Sequence, residues 1–348
     1  DISDYAGYIQ NNIAWKRLEI FPGLRVSYDD YTNNVNLAPR LSLSLDLFGD
    51  RDTIFFGGRN RYYSGTLLTH ALYSGYVTES QSRGTSGNGQ DDWVTTSVIY
   101  SYGEDSVKTP YTDETTIGLI KQLLGGELKA QYLRKKSRDE FARHREVIDG
   151  RSVYTLNNFG KSEHQSIQLS WQRSWRHQQL VINGTWQETT TTNTDYNTTF
   201  DLDDTLESIW YDGKELYTFE IPRKDFNRPF IANLIYSHKF PYGLTFTNLV
   251  KYRGAYWKLS RVSGETHPSN INPGENINVY KKVKSHSVVT FDWHLNWKLP
   301  RLVKQNIVLS LDVLNVFNKR AKIGYQTGTL GYDYELGRQI WAGVEFNF

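Results

Sequence analysis

The sequence contains no cysteine, which excludes a disulfide framework and any thiolate-ligated metal site. It contains no methionine either, so a chain beginning at Asp1 is expected to be a mature protein or a piece of one. No stretch approaches the roughly 18 consecutive apolar residues that a membrane-spanning helix needs. Apolar residues make up 38% of the 348, and the mean hydropathy is −0.59. A helical membrane protein is therefore excluded. An excess of either charge is lacking too: 40 Lys and Arg face 38 Asp and Glu, too even a balance for nucleic-acid binding to be read from charge. A signal peptide is not recognisable at Asp1.

What the chain does have is alternation with a period of two, in segments of about ten residues, which sends successive side chains to opposite faces of a strand. Between Val289 and Leu299 the residues Val289, Phe291, Trp293, Leu295, Trp297 and Leu299 share one face, while Thr290, Asp292, His294, Asn296 and Lys298 share the other. Ile307, Leu309, Leu311 and Val313 are set against Ser310 and Asp312 in the same way. Leu41, Leu43, Leu45 and Leu47 alternate with Ser42, Ser44 and Asp46, and the C-terminal segment from Gln339 to Phe348 repeats the division. Between Leu244 and Trp257 the pattern is less clean, because Asn248 and Leu249 break phase.

Two kinds of connection alternate along the chain. Short ones are expected near residues 15–18, 48–52, 124–127, 175–179, 240–243 and 299–304. Long polar ones are expected near 65–112, 146–160, 196–227, 262–282 and 319–337. Compact soluble domains usually join their elements with about four to six residues. Short turns at one end and long loops at the other are instead the plan of an outer-membrane barrel. About thirteen strands are predicted, near 4–15, 18–31, 36–48, 52–64, 113–124, 127–140, 161–175, 178–194, 228–240, 243–259, 285–299, 304–318 and 338–348. An odd number cannot close an antiparallel barrel, because the first and last strands then run the same way. Either a further strand exists, with residues 93–102 as the candidate, or the chain is part of a larger barrel. The second is preferred: nine more strands would complete about twenty-two, a size known for outer-membrane transporters.

The 10 Trp, 24 Tyr and 16 Phe support the membrane reading, since many lie near predicted strand ends: Trp15, Phe21, Phe48, Trp175, Phe240, Tyr242, Trp293 and Trp297. Amphipathic rings favour the headgroup level. A β-sandwich core is the competing explanation. It would bury Asp46, Lys121, Asp292, His294, Asp312 and Glu345, all expected on the polar face, away from water.

The segment Val308-Leu-Ser-Leu-Asp-Val-Leu-Asn-Val-Phe-Asn-Lys-Arg320, a loop, and then Tyr334-Glu-Leu-Gly-Arg-Gln-Ile-Trp-Ala-Gly-Val-Glu-Phe-Asn-Phe348 resemble the last two strands of TonB-dependent outer-membrane receptors. The Asn315-Val-Phe-Asn318 core, Gly337-Arg338 at the opening of the last strand and the terminal aromatic carry the match. Asp4 to Trp15 with Phe21 to Tyr28 is similar to a mid-barrel hairpin of the family, and Pro110 to Leu119 and Phe226 to Pro229 resemble further strand starts. The resemblance implies an all-β transmembrane antiparallel barrel, with residues 1–348 forming its C-terminal part. It also implies that Phe346 and Phe348 belong to a barrel-assembly signal. The family's N-terminal plug and TonB-contacting segment are not recognised, so the chain is expected to begin about nine strands into the barrel.

No catalytic set stands out. The eight His show no HExxH spacing, and His286 and His294 are most simply pore lining. The Gly-rich stretch 82–90 lacks the strand and helix that flank a phosphate loop. Asp201, Asp203, Asp204 and Glu207 offer hard oxygen ligands for Ca²⁺, but the EF-hand pattern fails, and a solvated acidic loop is the simpler expectation. Ile209 to Phe219 predicts a hairpin turning at Asp212-Gly213, with Trp210, Tyr211 and Tyr217 as a ligand platform or as loop self-packing. Arg134, Lys135, Lys136, Arg138, Arg143 and Arg145 form a basic run that would meet lipopolysaccharide phosphates or simply extend a solvated strand. Near the strand tops Arg59, Arg61, Tyr62, Arg223, Lys251, Arg253, Trp257 and Arg338 mix cations with aromatics, as a vestibule for an anionic or chelated ligand would.

The sequence thus leads to a non-enzymatic outer-membrane protein with no cofactor and no resident metal. The resemblance implies active import of a scarce, large nutrient such as a ferric siderophore, with the TonB-ExbB-ExbD complex acting through the plug, and lipid and lipopolysaccharide as surroundings. A passive porin and a surface adhesin are the alternatives.

Overall fold

The computed structural model describes residues 2–63, 75–83, 93–101, 107–149, 151–191, 200–201, 208–217, 228–271, 274–284, 286–299, 306–320, 322–325 and 332–347. The chain opens with β1 (Asp4–Gln10), β2 (Ile13–Trp15), β3 (Leu18–Asp29), β4 (Val35–Asp46), β5 (Thr53–Tyr63), β6 (Val77–Arg83) and β7 (Trp93–Ser101). It continues with β8 (Tyr111–Leu123), β9 (Gly126–Ile148), β10 (Arg151–Ser174), β11 (Gln178–Thr191), β12 (Phe200–Asp201), β13 (Ser208–Tyr211) and β14 (Lys214–Tyr217). The remainder is β15 (Phe230–Lys239), β16 (Leu244–Arg253), β17 (Trp257–Pro268), β18 (Asn276–Lys284), β19 (Val288–Lys298), β20 (Asn306–Leu314), β21 (Lys322–Tyr325), β22 (Tyr332–Tyr334) and β23 (Gln339–Asn347).

Seventeen of these strands share one sheet. Setting aside β6, β7 and β12, which join it by parallel pairing or through one another, and taking β1 and β2 as one interrupted strand, leaves a wall of thirteen. Each wall strand pairs antiparallel with its neighbour, from β1 and β2 through β3, β4, β5, β8, β9, β10, β11, β15, β16, β19 and β20 to β23. The two edge strands therefore run the same way, and closing this wall takes an odd number of further strands. The candidate strand at 93–102 exists as β7, but it pairs with β6 and with the extension of β10 rather than entering the wall.

Register assigns the faces, because directly paired residues project to the same side. Leu41, Leu43 and Leu45 pair with Pro22, Ile20 and Leu18, and Trp293, Leu295 and Trp297 with Val313, Leu311 and Leu309. These belong to the outer face, where Leu43 and Trp297 remain 41% and 42% exposed for want of any protein to cover them. The inner face carries Ser42, Ser44, Gln168, Ser170, Asn183, Thr247, Asp292 and Asp312. A water-soluble sheet with its apolar side bare would aggregate; a lipid-facing one has its solvent. Asn248 and Leu249 are a swap of sides without a register shift: Asn248 pairs with Trp293 on the outer face, Leu249 with Asp292 on the inner. Two residues lie on the face opposite to the one expected: Lys121, expected inward, and Phe21, expected in the aromatic girdle. Lys121 pairs with Thr53 and Leu128 and so lies on the outer face near the turn end, its ammonium 3.4 Å from the Thr53 hydroxyl. Phe21 pairs with Ser42 on the inner face, away from the aromatic girdle.

At the turn end, Leu124 (φ 54°) and Gly125 (φ 69°) close β8 onto β9, and Trp15, Phe48, Trp175 and Tyr242 stand exposed around the rim. At the loop end the described parts of the expected long connections include further strands. Residues 146–160 are not a loop, since β9 runs to Ile148 and β10 restarts at Arg151, giving 23- and 24-residue strands. About 9–11 residues suffice to cross a bilayer, so half of this hairpin projects beyond it. Residues 262–282 contribute most of the β17–β18 hairpin, which joins β13 and β14 in a separate four-stranded sheet. Residues 319–337 include the small β21–β22 ladder.

The Asn315-Val-Phe-Asn318 corner has a physical explanation. Asn315 (φ 51°) and Asn318 (φ 49°) both adopt the left-handed region that asparagine tolerates better than most side chains. Asn315 Oδ1 accepts the Lys319 N–H at 2.8 Å, its Nδ2 donates to the Lys319 carbonyl at 3.0 Å, and its own N–H donates to Asp292 at 2.8 Å. Asn318 Oδ1 accepts the Arg338 N–H at 3.0 Å, and a Cβ on Gly337 would lie 2.8 Å from that oxygen. The corner thus stops β20 and aims the chain back into β23.

Candidate functional site

The inner face toward the loop end carries several ion pairs and a cation–ring contact. The Arg40 guanidinium sits 4.8 Å from the centroid of the Tyr62 ring, within cation–π range. Lys135 pairs with Glu114 at 3.2 Å, one strand across from it. Lys251 pairs with Asp292 at 2.6 Å; the carboxylate is 4% exposed, and it also accepts the Asn315 N–H. Above them Arg253 pairs with Glu335, and further toward the turns His294 Nδ1 lies 2.8 Å from Asp312. Charges at this density are tolerable because a wide barrel keeps its interior wet, which spares them most of the desolvation cost. The arrangement is a polar lining with cations and rings at its mouth. Among the described residues no group of three or more His, Asp or Glu is placed to hold a metal ion. The acidic residues 202–207 lie outside the described residues, as does the side chain of Asp201.

Between the loop ends of β16 and β19 the chain builds part of a second sheet, β17 and β18, which β13 and β14 join. Asp212 (φ 51°) and Gly213 (φ 74°) close the β13–β14 hairpin, as the Asp-Gly pair predicts for a type I′ turn. Trp210 and Tyr211 pair in parallel with Val279 and Tyr280 of β18. The Trp210 ring stacks on His267 at 3.4 Å between centroids, and Ile209 beneath is 1% exposed. Glu215 holds the assembly together. Partial burial disfavours its charged form, but hydrogen bonds from the Ser208 and Ser269 hydroxyls and the Asn270 and Ile271 N–H groups outweigh that and bring the carboxyl down to about 2.

The predicted vestibule residues do not form one group. Tyr62 and Arg253 lie on the inner face, as judged from their neighbours Asn60 and Lys251. Trp257 opens β17, 44% exposed, with the Lys284 ammonium 5.5 Å from its ring. Arg338 is exposed beside the Asn318 corner and donates to the Val316 carbonyl at 3.4 Å. Tyr217 pairs with Ser208 through its backbone, while its side chain and all of Arg223 lie outside the described residues. Phe346 pairs with Ile307 on the outer face of β23, and Phe348 lies outside the described residues. Arg59 and Arg61 are corrected: Arg59 pairs with Leu41 and Thr115, and Arg61 with Asp113, which puts both on the outer face. Sequence reasoning missed Arg40, Glu114, Glu215 and Glu335. Their roles depend on which residue stands opposite, and the alternation that reveals a strand does not reveal its register.

No family model matches the chain. The uncharacterized protein YddB of Escherichia coli is 28% identical over the whole chain, which spans 43% of that protein. The crystal structure of the outer membrane transporter YddB from Escherichia coli superposes with a TM-score of 0.80 at 23% identity, covering 99% of this chain and 45% of that one. The siderophore receptor PirA from Acinetobacter baumannii gives 0.65 at 16% identity, and the FrpB iron transporter from Neisseria meningitidis 0.62 at 16%; each is matched over 99% of this chain and 45% of its own length. The chain therefore spans less than half the length of the relatives it matches. Those likenesses account for a thirteen-stranded wall with unjoined edges: this chain has the fold of the C-terminal part of a TonB-dependent outer-membrane receptor barrel.

Proposed function

We propose that this chain supplies wall, lumen lining and extracellular ligand-binding loops to an active outer-membrane transporter for a scarce, large nutrient of the ferric-siderophore class. The whole protein would draw its energy from the TonB-ExbB-ExbD complex. The observation that carries this reading is a polar inner wall, with Arg40, Tyr62, Lys251 and Arg253 toward its loop end, in a chain whose long loops also build a separate aromatic sheet. An anionic chelate with flat aromatic groups suits cations and rings together. Trp210, Tyr211, Tyr217, Arg223, Trp257 and Arg338 are the loop and rim residues proposed to meet it, with Tyr62 and Arg253 below. The reading assigns no chemistry to the lining.

The test is uptake of radiolabelled ferric siderophores by cells expressing the complete gene, with and without TonB. Uptake should vanish when TonB or the proton-motive force is removed. Uptake that survives both losses would refute active transport and favour a passive channel.

A further inference from the structure

We propose that the outer face of β5, β8, β9 and β10, toward the loop end, is a binding site for the phosphate groups of a lipopolysaccharide-class glycolipid in the outer leaflet. It rests on the outer-membrane barrel fold and not on the transport reading. Register lays the residues out as a grid. One row runs Arg59, Thr115, Arg134, Gln165, and the next runs Arg61, Asp113, Lys136, Glu163. Tyr63, Tyr111 and Arg138 form a third. Immediately toward the turns lies Gly57, Ile117, Tyr132, Ile167, with Ile117 and Ile167 57% and 52% exposed. The cations therefore stand where the apolar band ends, on the side of the sheet that faces lipid. Strands about 4.8 Å apart make the four-strand grid roughly 14 Å wide, the scale of a sugar headgroup.

Two of the five cations are already committed. Arg61 donates to Asp113 from Nε and Nη2 at 2.7 and 2.8 Å with the Tyr111 ring 4.2 Å from its guanidinium carbon, and Arg134 pairs with Glu163. Arg59, Lys136 and Arg138 make no direct ion pair among the described residues, although Arg59 and Arg138 lie within the field of Asp113, and Arg138 within that of Glu140. The inner face of the same strands is balanced, with Lys135 on Glu114. Toward the loop end of β16, β19, β20 and β23 the outer face presents Tyr252, Val289, Val313 and Ile340 instead. A generic charged rim would not leave those four strands uncharged there. Fixed guanidinium forks with a lysine between them match phosphate oxygens, and a low-dielectric margin strengthens each such pair.

The test uses the complete purified protein in detergent, diphosphoryl lipid A and its dephosphorylated form as probes, and native mass spectrometry as the readout. Wild type should retain the phosphorylated lipid at least tenfold better than the dephosphorylated one. The combined variant Arg59→Ser, Lys136→Ser, Arg138→Ser should lose that preference, with both ion pairs left intact to hold the wall. Arg59→Lys with Arg138→Lys should bind within about threefold of wild type, and the inner-face variant Lys135→Ser should bind like wild type. Equal retention of both lipids, or the same loss from Lys135→Ser, overturns the proposal. Displacement by inorganic phosphate at the lipid's own concentration overturns it too, because the site would then take free anion. Uptake that survives removal of TonB and of the proton-motive force, with the lipid preference as expected, would count against the transport reading alone.

Discussion

Replacing Asn315 tests whether the β20 corner is held by side-chain hydrogen bonds, by backbone conformation, or by both. Asn315→Ala removes the two bonds to Lys319, at 2.8 and 3.0 Å, and places a Cβ-bearing residue without compensation at φ 51°. Net hydrogen-bond contributions of about 0.5–1.5 kcal/mol each give about 1–3 kcal/mol. The left-handed conformation adds about 1–2 kcal/mol for alanine. Asn315→Gly loses the same bonds but is free of the second cost, against which its greater unfolded-state entropy sets about 0.4–1 kcal/mol. Glycine is thus expected to be the milder change by about 0.5–1 kcal/mol, although it removes more atoms. Urea unfolding of the complete protein reconstituted in lipid, followed by tryptophan fluorescence, measures both. Asn315→Ala as stable as wild type, or more stable than Asn315→Gly, would refute this account of the corner.

The face assignment predicts that Leu43→Lys costs about 2–4 kcal/mol in the same assay, as a charge near the membrane midplane does, whereas Ser44→Lys next to it, facing the lumen, costs well under half as much. Equal costs would mean the sheet has no lipid side. The loop sheet should respond to acid through Glu215. Its carboxyl in the folded loops lies near 2, below the ordinary value of 4.5, so its contribution is complete above about pH 4.5 and is lost as the pH falls toward 2. Protection of the amides at residues 269–271, taken relative to their intrinsic exchange at each pH, is expected to fall over that window in wild type and to be already low at pH 7 in Glu215→Gln; unchanged protection in the variant would show that the carboxylate is not the fastener.

Much of this architecture is legible in one dimension because lipid and water impose a strict period of two. Leu41, Leu43 and Leu45 against Ser42, Ser44 and Asp46 identify a strand wet on one side and bare on the other without any knowledge of its neighbours. The thirteen wall strands, the short-turn end and the Asp212-Gly213 hairpin follow from such local patterns and from turn residues that tolerate positive φ. The Asn315 and Asn318 corner was recognisable as a resemblance, though not as a mechanism.

Pairing is what a single strand cannot announce. Whether Arg59 looks into the lumen or out at lipid turns on whether its row contains Leu41 or Arg40, and a one-residue slip would invert the answer. The same holds for Lys121, for Phe21 and for the loops at 146–160 and 262–282, whose polar residues form ladders only because a second strand of matching register lies alongside. The amino-acid order by itself determined that this is a sheet with one face for lipid and one for water, since that depends on neighbours two apart in the chain. Only the tertiary structure decided which charges meet across it, since those partners lie tens of residues away and are brought together by backbone hydrogen bonds that do not depend on side-chain identity.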